Sequence, residues 1–317
     1  AIFSAARWAM AATSTNIQSG GTTGYWTDNA IWNPASYPGS GPGESASLTA
    51  DVGAGYTTIL NTTLANAIST LTMSNFSGTA RLIVTNCVLT NTTLSIGSGG
   101  RLQIDNGGVF TNTTALNMNK SGGQINVVNG GLFFSAGATV GAASPNNIVT
   151  IVGGGAVWNL CNSGLSLGLI FSGGSSNLVI IDGNGVNGGA VVTNVAALSV
   201  GDYGAGNSMV VTNGGRLFTA GAISVGYGPA YGNTLGVFGG PATSVWNAGA
   251  QDLKICYGYN GSGTGNVVRI DGMGVAGSAV LTNLNGIAVG SRGNTVLSSY
   301  NHLIVTNGGY LFSGSIV

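Results

Sequence analysis

One phrase recurs along this chain almost unchanged, and it constrains the fold more than any other feature. Val211-Thr212-Asn213-Gly214-Gly215-Arg216-Leu217-Phe218 returns as Val305-Thr306-Asn307-Gly308-Gly309-Tyr310-Leu311-Phe312. Shorter forms stand earlier, at Ile104-Asp105-Asn106-Gly107-Gly108-Val109-Phe110 and Val128-Asn129-Gly130-Gly131-Leu132-Phe133. A second phrase, Ile180-Ile181-Asp182-Gly183, matches Arg269-Ile270-Asp271-Gly272. Ala190-Val191-Val192-Thr193-Asn194 matches Ala279-Val280-Leu281-Thr282-Asn283, and both pairs are offset by 89 residues. Val157-Trp158-Asn159 returns 88 residues on, as Val245-Trp246-Asn247. An Asn opens each unit before alternating apolar residues, at Asn147, Asn177, Asn207, Asn233, Asn266 and Asn301, with spacings of 30, 30, 26, 33 and 35. Most units close on Leu167-Gly168, Val200-Gly201, Val225-Gly226 or Val289-Gly290. The chain is therefore an array of units of about thirty residues, nested in a three-unit period of about ninety.

Each unit reads as strand, corner, strand, corner, strand, loop. Asn177-Leu178-Val179-Ile180-Ile181 is short and β-rich, and Asp182-Gly183 turns the chain. Ala190-Val191-Val192 follows, then Thr193-Asn194, and Ala197 to Gly201 ends the unit. Asn-Gly and Asp-Gly suit corners because they accept left-handed backbone. Asn-Gly also marks hairpin turns, but hairpins do not explain matching phrases in the same slot of every third unit. A solenoid does, because coils stack and equal slots lie above one another. The expectation is an all-β, right-handed parallel β-helix with coils of about thirty residues and a three-coil superperiod. Pro34, Pro38 and Pro42 fall within nine residues of a segment that also holds Trp8, Trp26 and Trp32. Residues 1–50 are therefore expected to form an N-terminal arm and cap. Residues 51–317 are expected to form the β-helix, ending in an uncapped coil.

Composition narrows the class. Of 317 residues, eight are Lys or Arg and eight Asp or Glu, against 44% hydrophobic. Without a basic run there is nothing to displace the counterions of nucleic acid, and 44% apolar content argues against disorder. No stretch approaches eighteen consecutive apolar residues, so no membrane-spanning helix is expected. Cys87, Cys161 and Cys256 lie far apart and are expected to be small buried hydrophobes. Low charge and abundant Asn, Thr and Ser point to an exported protein, at the cell surface or outside the cell.

Particular residues carry a family resemblance. Tyr25-Trp26-Thr27-Asp28-Asn29-Ala30-Ile31-Trp32-Asn33-Pro34, Thr70-Leu71-Thr72-Met73, and the serial Val-Thr-Asn-Gly-Gly and Val-Gly steps resemble bacterial autotransporter-passenger-type β-helix repeat proteins. The resemblance covers nearly the whole chain on degenerate motifs. It implies an exported surface solenoid and carries over no catalytic residues.

Chemistry is sparse in the sequence. The acids are Asp28, Glu44, Asp51, Asp105, Asp182, Asp202, Asp252 and Asp271. Asp182 and Asp271 share a slot, but three coils separate them, roughly 14 Å at sheet spacing. Paired glycosidase carboxyls stand about 5–9.5 Å apart. The single His302 has no nucleophile motif nearby, and calcium-binding repeats need far more acids. No catalytic residue, cofactor or metal is expected. Acceptor sequons stand at Asn61, Asn75, Asn91, Asn112 and Asn260.

Tyr203, Tyr227 and Tyr257 each follow the closing strand of successive coils. In register they would form a ladder, serving as a glycan platform, a subunit contact or loop packing. Trp158 and Trp246 occupy equivalent slots and are expected to pack. The leading expectation is a structural subunit of an extracellular filament or surface layer, its copies joined head to tail. The apolar arm, with Ile2, Phe3, Trp8 and Met10, is the candidate cover for a neighbour's open coil. The alternative is a surface adhesin or carbohydrate-binding passenger, with a surface polysaccharide as partner. A polysaccharide-degrading enzyme stands a distant third.

Overall fold

The computed structural model describes residues 12–169, 173–256, 263–275, 278–290 and 299–316. Two sheets carry the chain. One has eleven strands that follow chain order, from Thr22–Tyr25 and Tyr56–Leu60 through to Val267–Asp271 and His302–Thr306. Each of its strands pairs in parallel with the strand one coil away. The other sheet has sixteen strands and is folded along a second corner. In some coils the strand breaks there, as between Arg216–Thr219 and Ile223–Tyr227. In others it runs on with register shifts, as in Ala156–Leu167 and Ala190–Asp202. The fold is a parallel β-helix.

Ladder registers give the coil lengths. From Ile148 onward, successive partners Leu178, Ser208, Thr234, Val267 and His302 lie 30, 30, 26, 33 and 35 residues apart, the spacings of the opening asparagines. Earlier coils are shorter: Tyr56 pairs with Ala80, 24 residues on, and Ala80 with Gly100, only 20 on. The difference lies mainly in the loop that closes the coil. Three residues, 97–99, separate Ile96 from Gly100, whereas ten, 168–177, separate Leu167 from Leu178. Equal slots three coils apart hold the repeated phrases, because Asp182 pairs with Thr212, Val211 with Val237, and Phe238 with Asp271.

Alternation along each strand sends every second side chain inward. Leu82, Leu102, Ile125, Val149, Val179, Met209, Leu235 and Val268 form one continuous buried row. Burying each such side chain stabilises by about 1.5–3 kcal/mol. Phe110, Phe133 and Trp158 follow one another in successive coils, the first pair edge to face with ring centroids 5.7 Å apart and the second stacked at 5.6 Å. Both Trp158 and Trp246 are buried, and their indole N–H groups donate to Ser135 Oγ at 3.0 Å and Thr219 Oγ1 at 3.2 Å.

The opening asparagines stand at the corner just ahead of each strand and turn inward into the rod. Asn147, Asn177, Asn207, Asn233 and Asn266 are buried. The backbone N–H and the Nδ2 of each donate to Oδ1 of the next, ending on Asn301, all at 2.9–3.1 Å. The second Nδ2 hydrogen of Asn207, Asn233 and Asn266 goes to the carbonyl of Gly174, Gly204 and Ala230. This is one column of buried carboxamides, with the closing glycines packed against it.

Corners follow from the Asn-Gly-Gly phrase. Asn213 and Gly214 both have positive φ, 49° and 88°, and Gly215 N–H closes the turn on Thr212 O at 2.9 Å. A Cβ at Gly215 would stand 2.3 Å from Ile181 O of the preceding coil, so only glycine fits. These dihedral signs are those of a hairpin turn. Here, however, the turn joins strands of two different sheets.

The segment expected as a cap contributes to both sheets: Thr22–Tyr25 pairs with Tyr56–Leu60, and Ser45–Leu48 with Ile68–Met73. At its end Thr13–Asn16 pairs antiparallel with Trp32–Asn33. Trp26 and Trp32 are buried edge to face at 4.9 Å, with indole N–H groups on Pro38 O and Trp26 O. Cys87 and Cys256 are buried as expected, but Cys161 is exposed. It sits at the second corner with φ of 52°, its N–H held by Asn159 Oδ1, and so its side chain points out of the coil.

Candidate functional site

The expected site residues fall into three groups. Arm residues Ile2, Phe3, Trp8 and Met10, and Tyr257 of the tyrosine ladder, lie outside the described residues. Tyr203 and Tyr227 lie in successive coils, as the spacing requires, with centroids 5.6 Å apart. Their rings meet at 86°, edge to face, and do not form a coplanar stack. Tyr227 is exposed, whereas Tyr203 is half-buried against the Gly228 backbone. Asp202 pairs with Tyr227 across the ladder, and its Oδ1 is buried with no hydrogen-bond partner. Burial pushes its carboxyl above the usual range.

Asp182, Asp271 and Asp51 serve turns, whereas Asp252 meets the neighbouring coil. Asp182 Oδ1 accepts from Asn184 N–H at 2.7 Å. Asp271 accepts from Met273 N–H at 2.9 Å, from Arg269 and from Asn307 Nδ2. These donors hold the Asp271 carboxyl below the ordinary range. Asp252 accepts from Asn285 Nδ2, and Asp51 from Ser77 N–H. Among the described residues, no group of three or more His, Cys, Asp or Glu is placed to hold a metal. Nor is any helix there long and apolar enough to cross a membrane. Asn75, Asn91 and Asn112 are buried, so those three sequons are closed to glycosylation in the folded chain, while Asn61 is exposed, as is Asn119 of a sixth sequon, Asn119-Lys120-Ser121.

One feature of the outer face has no counterpart in the sequence reading. In the short early coils, Thr23, Thr57, Arg81, Arg101 and Gln124 form a single row across five neighbouring strands. Arg81 and Arg101 are direct register partners, which puts two guanidinium stems about 4.8 Å apart. Arg81 donates to Gln103 Oε1, and Gln103 Nε2 donates to Asp105 Oδ2 at 2.5 Å. Arg101 is exposed and has no side-chain partner among the described residues. Beside the pair runs an open groove of about 330 Å³, lined by Thr22, Thr23, Thr57, Thr79 and both arginines.

Fold and surface together define a parallel β-solenoid repeat protein. Comparison with known protein families, with curated proteins and with solved structures found no match for this chain.

Proposed function

We propose that the chain is a structural subunit of an exported, right-handed β-solenoid that extends by stacking coils end to end, head to tail, in a filament or surface layer. The observation that supports this reading is the self-complementarity of the coils: each strand pairs in parallel with the strand one coil away, and inward rows such as Leu82, Leu102, Ile125 and Val149 run unbroken from coil to coil. In this reading a second copy continues the stack through its N-terminal arm, a heterologous contact that propagates.

The test is electron microscopy of the purified chain beside two variants, one lacking residues 1–11 and one carrying Val305→Lys with Leu311→Lys. Filaments from the unaltered chain, lost in both variants while the circular dichroism spectrum is kept, support the proposal. Particles of single-copy length from the unaltered chain, or filaments unchanged in the variants, overturn it.

A further inference from the structure

We infer that the groove beside Arg81 and Arg101 is a binding site for an acidic saccharide, whose carboxylate or sulfate group bridges the two guanidinium groups. This goes beyond the structural reading and does not depend on it.

The placement of the arginines is the first argument. Like charges in directly neighbouring strand positions destabilise a sheet. Only six cations lie among the described residues, Arg81, Arg101, Lys120, Arg216, Lys254 and Arg269, and two of them are register partners. A local rule broken without local compensation marks a functional position. Compensation here is partial. The Gln103 and Asp105 relay engages Arg81 from one side, and Arg101 faces solvent without a side-chain partner among the described residues. An oxyanion across the pair removes the repulsion and satisfies the planar donors of both side chains.

The groove supplies the second argument. It spans the strands of Thr22, Tyr56, Thr79–Arg81 and Arg101, so it runs along the rod axis for roughly 14 Å at sheet spacing. Among the described residues, the hydroxyls of Thr23, Thr57 and Thr79 have no hydrogen-bond partner in the protein. One anionic subsite followed by a row of neutral hydroxyls matches a saccharide that sets one charge among several hydroxyls on a unit. A polyphosphate, which has charge but no hydroxyl groups on its units, is poorly matched by the threonine-lined part of the groove.

The experiment is calorimetric titration of the full chain at low salt with trigalacturonate, its neutral methyl ester, a sulfated disaccharide and inorganic sulfate. Binding of a charged saccharide and not of the ester is expected, weakening as salt is raised. Removing one charged partner costs about 1.5–3 kcal/mol, so Arg101→Gln should weaken binding by about tenfold or more. Thermal stability of that variant should hold or rise, because the like-charge contact is relieved. Whether the uronate or the sulfated disaccharide binds more tightly identifies the source of the oxyanion. Equal binding of acid and ester, undiminished binding by Arg81→Gln/Arg101→Gln, or binding of inorganic sulfate alone would overturn the assignment. Val305→Lys should bind as the unaltered chain does, so failure here and failure of end-to-end stacking are read separately.

Discussion

Gly201 lies directly against the carboxamide of Asn233, two coils further along: a Cβ at Gly201 would stand 2.1 Å from Asn233 Cγ. Its φ of 77° is also one that L side chains seldom adopt. The closing glycine of one coil and the opening asparagine of the next coil but one are thus a single packing unit. Gly141, Gly168 and Gly226 repeat the contact with Asn177, Asn207 and Asn266.

Gly201→Ala should therefore destabilise by about 2–4 kcal/mol, combining backbone strain with overpacking. Gly154→Ala is the control, since nothing lies within 4 Å of a Cβ there. Thermal melts of the two variants check this. Equal melting temperatures would show that the glycine does not hold the column.

Removing one carboxamide should damage its neighbour more than itself. Asn207 Oδ1 accepts both the backbone N–H and Nδ2 of Asn177. Asn207→Ala leaves two buried donors unpaired, at about 1–3 kcal/mol each. Hydrogen exchange should show the Asn177 amide losing protection while amides of the Tyr56–Leu60 strand keep theirs, because coils interact chiefly with their neighbours.

Two carboxylates should respond to pH with opposite sign. Asp202 has a raised folded pKa, so its folded state binds the proton more tightly than the unfolded state. Its contribution is fully present below the unfolded value of about 3.9 and lost as pH rises through the folded value. Asp202→Asn should accordingly stabilise at pH 7 and make no difference at pH 3. Asp271 is the reverse. Its lowered folded pKa gives stability present above about 3.9 and lost as pH falls through the folded value. Asp271→Ala should destabilise at pH 7 and much less at pH 2. Denaturant melts across pH 2–8 read both effects.

Where the sequence was legible, repetition made it so. Asp182 and Asp271, or Trp158 and Trp246, stand in equal slots because the phrases around them recur, and a stacked coil turns recurrence into register. Burial of the asparagines was not legible. An isolated Asn before a strand looks like a turn residue, and its partner lies 26 to 35 residues away. The arginine pair was hidden by the period itself. A thirty-residue coil would set Arg81 beside Thr111, whereas the actual coil of 20 residues sets it beside Arg101. Exposure of Cys161 depends on its left-handed corner, which no pattern of residue types announces.

The column of carboxamides also gives the rod an arrow. Every step from Asn147 to Asn301 donates the same way, toward the C-terminal end, and no step reverses. Aligned amide dipoles add, as they do along a helix. A rod turned end for end is therefore electrically a different object, even with almost no net charge. Two such rods laid side by side pointing the same way repel weakly, while neighbours pointing in opposite directions attract. Any two-dimensional array of them must balance that preference against the contacts between their faces.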